Sequence, residues 1–234
     1  MKNQLELIAE SYDKGIDYGR RGISLYDDLP EYITNNPDYI IYKKTTESIE
    51  PSVYSGYKEI REYLSPTTNM KFIDLGCCLN LMFNGYDQWA STYHGVDISS
   101  KTIELLNEFS TNNKLHIGAL ICGSIHETPF DANYFDIGAC IGVLEYYKKD
   151  FVEKALIEAH RIIKPGGKLV LDIPNIVSPA CRGMILLEEH AGRTDQFDML
   201  PLDFENMLCN YFEIEKVEKA NAWAMFQYFL SCKK

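Results

Sequence analysis

Long hydrophobic runs and a basic leader are both absent from this sequence. The longest candidate run, Ile137 to Leu144, has eight residues, whereas roughly 18 or more are needed to cross a bilayer. The N-terminus, MKNQLELIAE, carries acids where a secretory signal would have a basic flank and an apolar core. We therefore predict a cytoplasmic protein without a membrane partner.

Clustered positive charge is also lacking. The chain has 23 Lys and Arg against 34 Asp and Glu, a formal net charge of −11. Proteins that bind nucleic acid usually present a basic face to the phosphates, and no cluster of Lys and Arg here would form one. We expect no nucleic acid as a partner, and the composition leaves the oligomeric state open.

Paired metal-binding cysteines are missing as well. The seven cysteines include no CxxC pair, so neither a zinc knuckle nor a thioredoxin-type site is indicated. Several lie in or beside apolar runs, where cysteine usually behaves as a small hydrophobic residue. We expect free thiols and no metal site.

The chain from Met70 onward alternates short β-rich runs with helical patterns, which is typical of βαβ units on a parallel sheet. The final pair of strands is close enough to form a hairpin. Strands are predicted at 71–75, 93–98, 115–122, 135–141, 168–173, 212–219 and 224–232.

Helix signals occupy the segments between these strands. Ser99 opens one helix that runs to about Phe109, and Asp150 with Glu153 indicates a capping box for the next. That second helix should end at the KPGG sequence of residues 164–167. Further helices are expected between about 180 and 208.

The first 69 residues have a different composition. Nine of the 16 tyrosines lie before residue 64, and no strand pattern occurs there. Residues 3–19 and 56–64 are predicted to be helical. We interpret 1–69 as an N-terminal helical cap or lid, and 70–234 as the core with a substrate-side insertion at about 175–210.

Two acids mark the ends of the first two predicted strands. Asp74-Leu75-Gly76 ends the first, and Asp97 follows 21 residues after Gly76. In a doubly wound sheet, ligands bind beyond the carboxyl ends of the strands. A glycine turn lets a ligand approach the backbone, and a carboxylate can accept both hydroxyls of a ribose. The pair predicts a bound nucleoside.

Five segments narrow this prediction: FIDLGCCLN, GVDIS, CGSIHETPFDANYFDI, GVLEYY and RIIKPGGKLVLDIPN, in that order. Their order and spacing closely resemble those of class I (Rossmann-like) S-adenosylmethionine-dependent methyltransferases of the small-molecule type, over about residues 70–232. The resemblance implies an α/β fold with a seven-stranded, mostly parallel, doubly wound sheet, a reversed C-terminal strand and helices on both faces. It also implies S-adenosyl-L-methionine as cofactor and in-line methyl transfer to an O, N or C atom of a small-molecule acceptor.

The resemblance further implies roles for individual residues. The expected cofactor-binding set covers the methionine moiety (Asp74, Gly76 and Cys77), the ribose (Asp97), the adenine (Ile98, Ser124 and Ile125) and the sulfonium (the backbone of Cys140, Ile141 and Gly142). Tyr12 or Tyr18 of the lid is expected near the methionine end. Tyr146 stands where many relatives place a histidine that faces the substrate, and it is a candidate catalytic residue together with His190. If the acceptor must lose a proton, Tyr146, Tyr147, His190 and Glu145 are the candidate bases.

Two features of the sequence, the glycine-rich turn and an acidic position, depart from the family pattern. The glycine-rich turn usually reads DxGxGxG, but Cys78 and Asn80 occupy the second and third glycine positions. Asn tolerates left-handed backbone better than Cys does. Ser124 replaces an acid, and its hydroxyl would accept the adenine amino hydrogen more weakly than a carboxylate.

Other interpretations stay open at this point. The altered turn is compatible with a non-catalytic methyltransferase-like binding subunit. A nicotinamide-dependent oxidoreductase is disfavoured because no GxGxxG follows the first strand. Methylation of a metalloid by Cys181, Cys209 and a third thiol would require these cysteines to converge. The N-terminal tyrosines could hold an aromatic or methylated-amine acceptor, or could simply pack the cap on the core.

Overall fold

A computed structural model describes residues 3–47, 56–220 and 224–234 of the 234-residue chain. Its centre is a seven-stranded sheet in the order β3-β2-β1-β4-β5-β7-β6. Strands β1 to β5 pair in parallel, and β7 runs antiparallel between β5 and β6. The predicted fold class is confirmed. The strands are β1 (Lys71–Leu75), β2 (Thr92–Asp97), β3 (Leu120–Cys122), β4 (Phe135–Cys140), β5 (Ile163–Pro174), β6 (Phe212–Ala220) and β7 (Met225–Cys232).

The described residues also form α-helices before, between and after the parallel strands. Short 3₁₀ turns at Tyr86–Gln88 and Leu144–Tyr146 separate some of them. The α-helices are α1 (Gln4–Gly19), α2 (Glu31–Thr34), α3 (Pro37–Glu47), α4 (Gly56–Leu64), α5 (Asn80–Phe83), α6 (Ser100–Asn112), α7 (Lys149–Ile162), α8 (Pro179–His190) and α9 (Pro201–Leu208).

The hydrophobic core lies on both faces of the sheet. Successive side chains of a strand point to opposite faces, and β1 shows this directly: Phe72 belongs to one buried cluster and Ile73 to the other. In β5, Val170 and Leu171 divide in the same way. Because both faces are covered, the open places for a ligand are the ends of the strands.

Two strands begin well away from the residues predicted from the sequence. Strand β3 begins at residue 120 instead of 115. Just before it, the backbone at Gly118 passes so close to the His94 ring that a Cβ on Gly118 would lie 2.1 Å from the ring Nε2. Strand β5 begins at Ile163, which pairs with Phe135, so the KPGG sequence lies inside the strand and does not precede it.

The predicted capping box of Asp150 and Glu153 is wrong. Helix α7 begins at Lys149 after an N-cap at Lys148 that provides no side-chain hydrogen bond. Asp198, from the segment before α9, accepts the Lys149 N–H at 3.0 Å. A distant carboxylate therefore does the work of a local cap, and sequence spacing does not reveal it.

The N-terminal segment is helical where it is described, and residues 48–55, including Tyr54, lie outside the described residues. Helix α1 is tied to the start of α6, because Ser99 donates a hydrogen bond to Asp13 and Lys101 pairs with Asp17. Helix α3 packs on α8 so closely that a Cβ on Gly183 would lie 2.5 Å from a backbone oxygen of α3. None of the helices in the described ranges is long and apolar enough to span a membrane.

Candidate active site

A cavity of about 250 Å³ lies at the carboxyl ends of the first four strands. Its volume is near the lower limit of small-molecule sites, which is roughly 300 Å³. Helix α1 contributes Ile8 and Tyr12 to its wall. The site residues expected from the sequence that line it are Tyr12, Gly76, Asp97, Ile98, Ser124, Ile125, Ile141, Gly142, Tyr146 and Tyr147.

The turn after β1 is held against β2. The Gly76 and Cys77 N–H groups both donate to the Val96 carbonyl, at 2.8 and 2.9 Å. Gly76 has φ +77°, and a Cβ there would lie 2.3 Å from Val143 Cγ2. Glycine is therefore required at this position by backbone conformation and by close approach together.

The second and third glycine positions of the family turn behave differently from each other. Cys78 has φ +38°, so a cysteine adopts the left-handed backbone that glycine usually provides. Asn80 does not use its tolerance for that conformation: it begins the helix α5. Its side-chain amide instead donates to Asp74 Oδ2 at 3.1 Å.

Asp97 organises the cavity through both of its carboxyl oxygens. Oδ2 accepts the N–H of Cys78 and Oδ1 accepts the N–H of Ser99, each at 2.8 Å. The residue is 8% exposed, and burial raises the pKa of its carboxyl. A carboxylate has about four acceptor sites, so two remain for a ligand in the cavity.

Asp74 lies beneath the turn and does not line the cavity. Tyr93 Oη donates to its Oδ2 at 2.9 Å, beside the bond from Asn80. Burial raises the pKa of Asp74 to about 7, although both hydrogen bonds oppose this shift. Asp74 therefore positions Asn80, which does reach the cavity.

The remaining predicted residues fall into two groups. Cys77 and Cys140 are buried with their side chains in the cores on either face of the sheet, so only their backbone is available near the cavity. Tyr18 lies in a separate surface depression among charged residues of α1. His190 is exposed at the end of α8, and neither Tyr18 nor His190 lines the cavity.

The end of the cavity at Tyr146 carries a polar network. Tyr12 Oη and Tyr146 Oη are 3.2 Å apart, and Tyr146 Oη donates to Glu188 Oε2, also at 3.2 Å. Arg193 pairs with Glu188 at 3.0 Å and lies over the Tyr12 ring, 4.2 Å from its centre. Of the N-terminal tyrosines whose side chains are described, Tyr12 alone lines the cavity.

Sequence reasoning did not single out Arg193 or Asp172. Asp172 ends the apolar run of β5 and accepts the Gly142 N–H at 2.8 Å. An acid at the end of a buried strand is the same signal that identified Asp74 and Asp97, so Asp172 could have been found. Arg193 has no comparable signal, because it reaches the site only where the segment after α8 contacts α1, with Ser11 donating to the Ala191 carbonyl and Arg193 lying over the Tyr12 ring.

The metalloid interpretation finds no support in the positions of the cysteines. Cys181 is buried and Cys209 is exposed. Within residues 3–47, 56–220 and 224–234, no group of three or more His, Cys, Asp or Glu side chains could hold a metal ion.

Comparisons with known proteins agree with this geometry. Residues 73–171 match a family model described as a methyltransferase domain. A sterol 4-C-methyltransferase from Caenorhabditis elegans is 24% identical over 144 residues, which are 61% of this chain and 42% of that protein. The chain spans less than half the length of the curated relatives that it matches.

Solved structures show the same fold. A protein from Pyrococcus horikoshii OT3 aligns with a TM-score of 0.62 and 19% identity, over 88% of this chain and 100% of that one. Geranyl diphosphate C-methyltransferase from Streptomyces coelicolor, solved with Mg²⁺, geranyl diphosphate and S-adenosyl-L-homocysteine, aligns with a TM-score of 0.62 and 13% identity, over 89% and 86% of the two chains. Residues 73–171 are thus similar to methyltransferase domains, and the chain has the α/β fold that the sequence motifs indicated.

The buried carboxyls predict an unusual dependence of stability on pH. Burial raises the pKa of Asp172 to about 7 and that of Asp195 to about 8. Above about pH 4 these two carboxyl groups are ionised in the unfolded state but still protonated in the folded state. Their contribution to the free energy of unfolding therefore falls as the pH rises from about 4 to about 8. Burial lowers the pKa of His94, so its contribution to stability changes with pH in the opposite direction. The test therefore compares a variant with the parent.

When the pH is raised from 5 to 8, the free energy of unfolding should fall less in Asp172→Asn than in the parent. The expected difference between the two losses is about 1–3 kcal/mol. Urea unfolding of the ligand-free protein at both pH values measures this difference. Glu108→Gln, on the exposed face of α6, is the control and should follow the parent. Equal losses in the parent and in Asp172→Asn would show that Asp172 is already ionised at pH 5.

Proposed function

We propose that this chain binds S-adenosyl-L-methionine in the cavity and transfers its methyl group to an O, N or C atom of a small-molecule acceptor. The observation that carries the proposal is the convergence of Gly76, Asp97 and Ile98 on one cavity with Ser124 and Ile125. These residues come from the ends of three strands, and the family resemblance had assigned each of them to the same ligand.

The residues present fit that cofactor. Asp97 has acceptor capacity left for two ribose hydroxyls, and the absence of a Cβ at Gly76 leaves the turn open to close approach. Ile98 and Ile125 offer apolar side chains for an adenine ring. Ser124 is the candidate partner of the adenine amino group, and its hydroxyl is already 2.6 Å from His126 Nδ1.

When bound, the cofactor supplies a methyl group on a positively charged sulfur. The chain's own contribution is to align the acceptor with that methyl group and to exclude water. Tyr146, together with Tyr12 from α1, forms the wall where the acceptor would lie. Asp97 contributes an acidic group to the cavity wall, which favours a cationic cofactor.

The alternative functions have weaker support. A nicotinamide-dependent oxidoreductase would need a glycine-rich turn that the sequence CCLN does not provide. A non-catalytic binding subunit would retain the cofactor site, so binding alone does not separate it from an enzyme. Turnover of an acceptor is the observation that does so.

Calorimetry with S-adenosylhomocysteine and with NADH tests the proposal. We expect S-adenosylhomocysteine to bind, and Asp97→Ala to weaken it by about 2–4 kcal/mol, because two ribose hydroxyls lose a charged acceptor. Ser124→Ala should cost less, about 0.5–1.5 kcal/mol, since a neutral hydrogen bond is lost. Glu104→Ala, an exposed position of α6, should bind like the parent.

Asp97→Ala also frees two backbone N–H groups, so its melting curve must show a folded protein before its affinity is interpreted. Normal binding by a folded Asp97→Ala protein would refute the ribose assignment. Binding of NADH without any binding of S-adenosylhomocysteine would favour the oxidoreductase.

The N-terminal segment is proposed to act as a lid. Helix α1 supplies Ile8 and Tyr12 to the cavity, and polar contacts fasten it on two sides: Gln4 donates to the Tyr146 and Thr194 carbonyls, and Ser11 to that of Ala191. A cavity near the lower size limit must open to admit a nucleoside. A segment with this duty is expected to open more readily than the sheet.

Hydrogen exchange measured with and without S-adenosylhomocysteine tests the lid. Protection of residues about 5–25 should rise when the ligand binds, because α1 then closes over it. The amides of β5 serve as the internal reference, since they are protected in both states. Unchanged exchange throughout α1 would identify it as a fixed arm, and the acceptor pocket would then have to come from residues 175–210.

A further inference from the structure

Three carboxyl groups lie behind the cavity wall near the ends of β4 and β5. We call Glu145, Asp172 and Asp195 the acidic cluster. Glu145 immediately precedes the cavity-lining Tyr146, and Asp172 holds the N–H of the cavity-lining Gly142. Burial raises the pKa of Glu145 well above its usual range, and the charges of Asp172 and Asp195 raise it further. The three groups are therefore close enough to interact.

Three of the six carboxyl oxygens of the acidic cluster lack a hydrogen-bond donor. Among the described residues, Glu145 Oε2 and both carboxyl oxygens of Asp195 are buried without a hydrogen-bond partner. Glu145 as a whole is only 5% exposed. Leaving a buried polar atom unsatisfied costs about 1–3 kcal/mol. Native structures seldom accept this cost without a functional reason.

Glu158 shows how the same chain treats a buried carboxylate that supports the fold. Thr128 donates to its Oε1 through both its N–H and its hydroxyl, and Arg161 donates to its Oε2 at 2.7 Å. Glu158 is 7% exposed, close to the exposure of Glu145. The free oxygens of the acidic cluster therefore point to a donor that comes from outside the chain.

The charge of the nearby Arg193 opposes the rise in the pKa of Asp195, but it forms no ion pair with the acidic cluster. No ion pair within the described ranges joins any of its members to a Lys or Arg. The nearby cation, Arg193, is paired with Glu188 and lies over the Tyr12 ring. Aromatic rings and unpaired carboxylates are the combination that binds organic cations.

Glu145 has a route to the cavity at Gly142. A Cβ on Gly142 would have a single neighbour within 4 Å beyond its own chain neighbours, and that neighbour is Glu145 Oε1 at 3.8 Å. Gly142 lines the cavity and has φ +70°, a conformation that favours glycine. No side chain at position 142 screens the carboxyl group from a ligand.

We propose that the methyl acceptor is an amine, and that Glu145 receives its N–H group at the Gly142 end of the cavity. This inference rests on the proposed function and specifies its acceptor. An acceptor bearing a diphosphate, like that in the Streptomyces coelicolor structure, would meet acids without cations, because the described lining of the cavity includes no Lys or Arg.

The chemistry of the step balances with these groups. An amine that enters as an ammonium ion gives one N–H proton to the Glu145 carboxylate, which frees the nitrogen lone pair. That lone pair forms the N–C bond to the methyl carbon while the C–S bond breaks and its electrons stay on sulfur. The products are a methylated ammonium ion, a neutral thioether and a protonated Glu145, which returns its proton to solvent.

Paired ligands of equal shape test the inference. The protein, with and without saturating S-adenosylhomocysteine, is titrated calorimetrically at pH 7 with benzylammonium chloride and with benzyl alcohol. We expect the ammonium ligand to bind at least about tenfold tighter, since a charge-assisted hydrogen bond exceeds a neutral one by that margin.

Glu145→Gln keeps the shape and removes the charge. It should lower benzylammonium affinity about tenfold or more and leave benzyl alcohol binding unaffected. Asp172→Asn is the second variant, for the case in which Glu145→Gln does not fold. Its amide oxygen can still accept the Gly142 N–H, and it should reduce the preference for the ammonium ligand by a smaller factor. Glu108→Gln is the matched control and should behave as the parent.

The outcomes separate the two proposals. Equal binding of the two ligands, or an ammonium preference that survives in both cluster variants, would overturn the amine acceptor. If S-adenosylhomocysteine fails to bind while the ammonium preference persists, the proposed function is overturned and the cation site stands.

Discussion

The carboxylate of Asp97 holds together the two turns from which the site is built. It binds the Cys78 N–H in the turn after β1 and the Ser99 N–H at the start of α6. Those turns belong to neighbouring strands, and the Val96 carbonyl adds a second connection between them through Gly76 and Cys77. The cavity is therefore formed before any ligand arrives, with one acidic group serving both the backbone and the ligand. Preorganisation of this kind reduces the conformational entropy that is lost when a ligand binds.

The other acidic side chains inside the protein fall into two groups, those whose oxygens have hydrogen-bond donors and those that keep oxygens without one. Glu158 is satisfied by donors from its own chain, and Asp136 accepts the Lys71 N–H and pairs with Lys164. Glu145 and Asp195 retain free oxygens instead. Among the carboxyl groups of the described residues, these two alone keep buried oxygens without a partner, and Glu145 adjoins the cavity-lining Gly142. Functional sites are where proteins commonly depart from the consistency seen in the rest of the fold, and such departures lower stability in exchange for activity.

The sheet and most of the cavity-lining residues at the strand ends could be predicted from the sequence. The strand ends carry acids and glycines in a fixed order, so Asp97 and Gly76 could be placed before any coordinates were considered. The strands and the C-terminal hairpin follow from apolar runs of the right length. Boundaries failed where a tertiary contact overrides local preference, as when Asp198 caps α7 or His94 crowds Gly118.

The acceptor end was much harder to read from the sequence. Tyr12 and Tyr18 are six residues apart in one tyrosine-rich helix, and only the packing of α1 decides which of them meets the cavity. His190 had a suitable chemical character, yet α8 leaves it exposed at its end. Glu145 was one of several candidate bases, and its free, buried oxygen is visible only in three dimensions. Composition and spacing carry no information about these contacts.

A crystal structure of the protein grown with S-adenosylhomocysteine tests the central claim most directly. The account predicts the ribose hydroxyls within hydrogen-bond distance of the Asp97 carboxylate, with the adenine ring between Ile98 and Ile125 and the sulfur directed towards Gly142 and Tyr146. A ligand bound elsewhere, or bound in the cavity with its ribose away from Asp97, would contradict it.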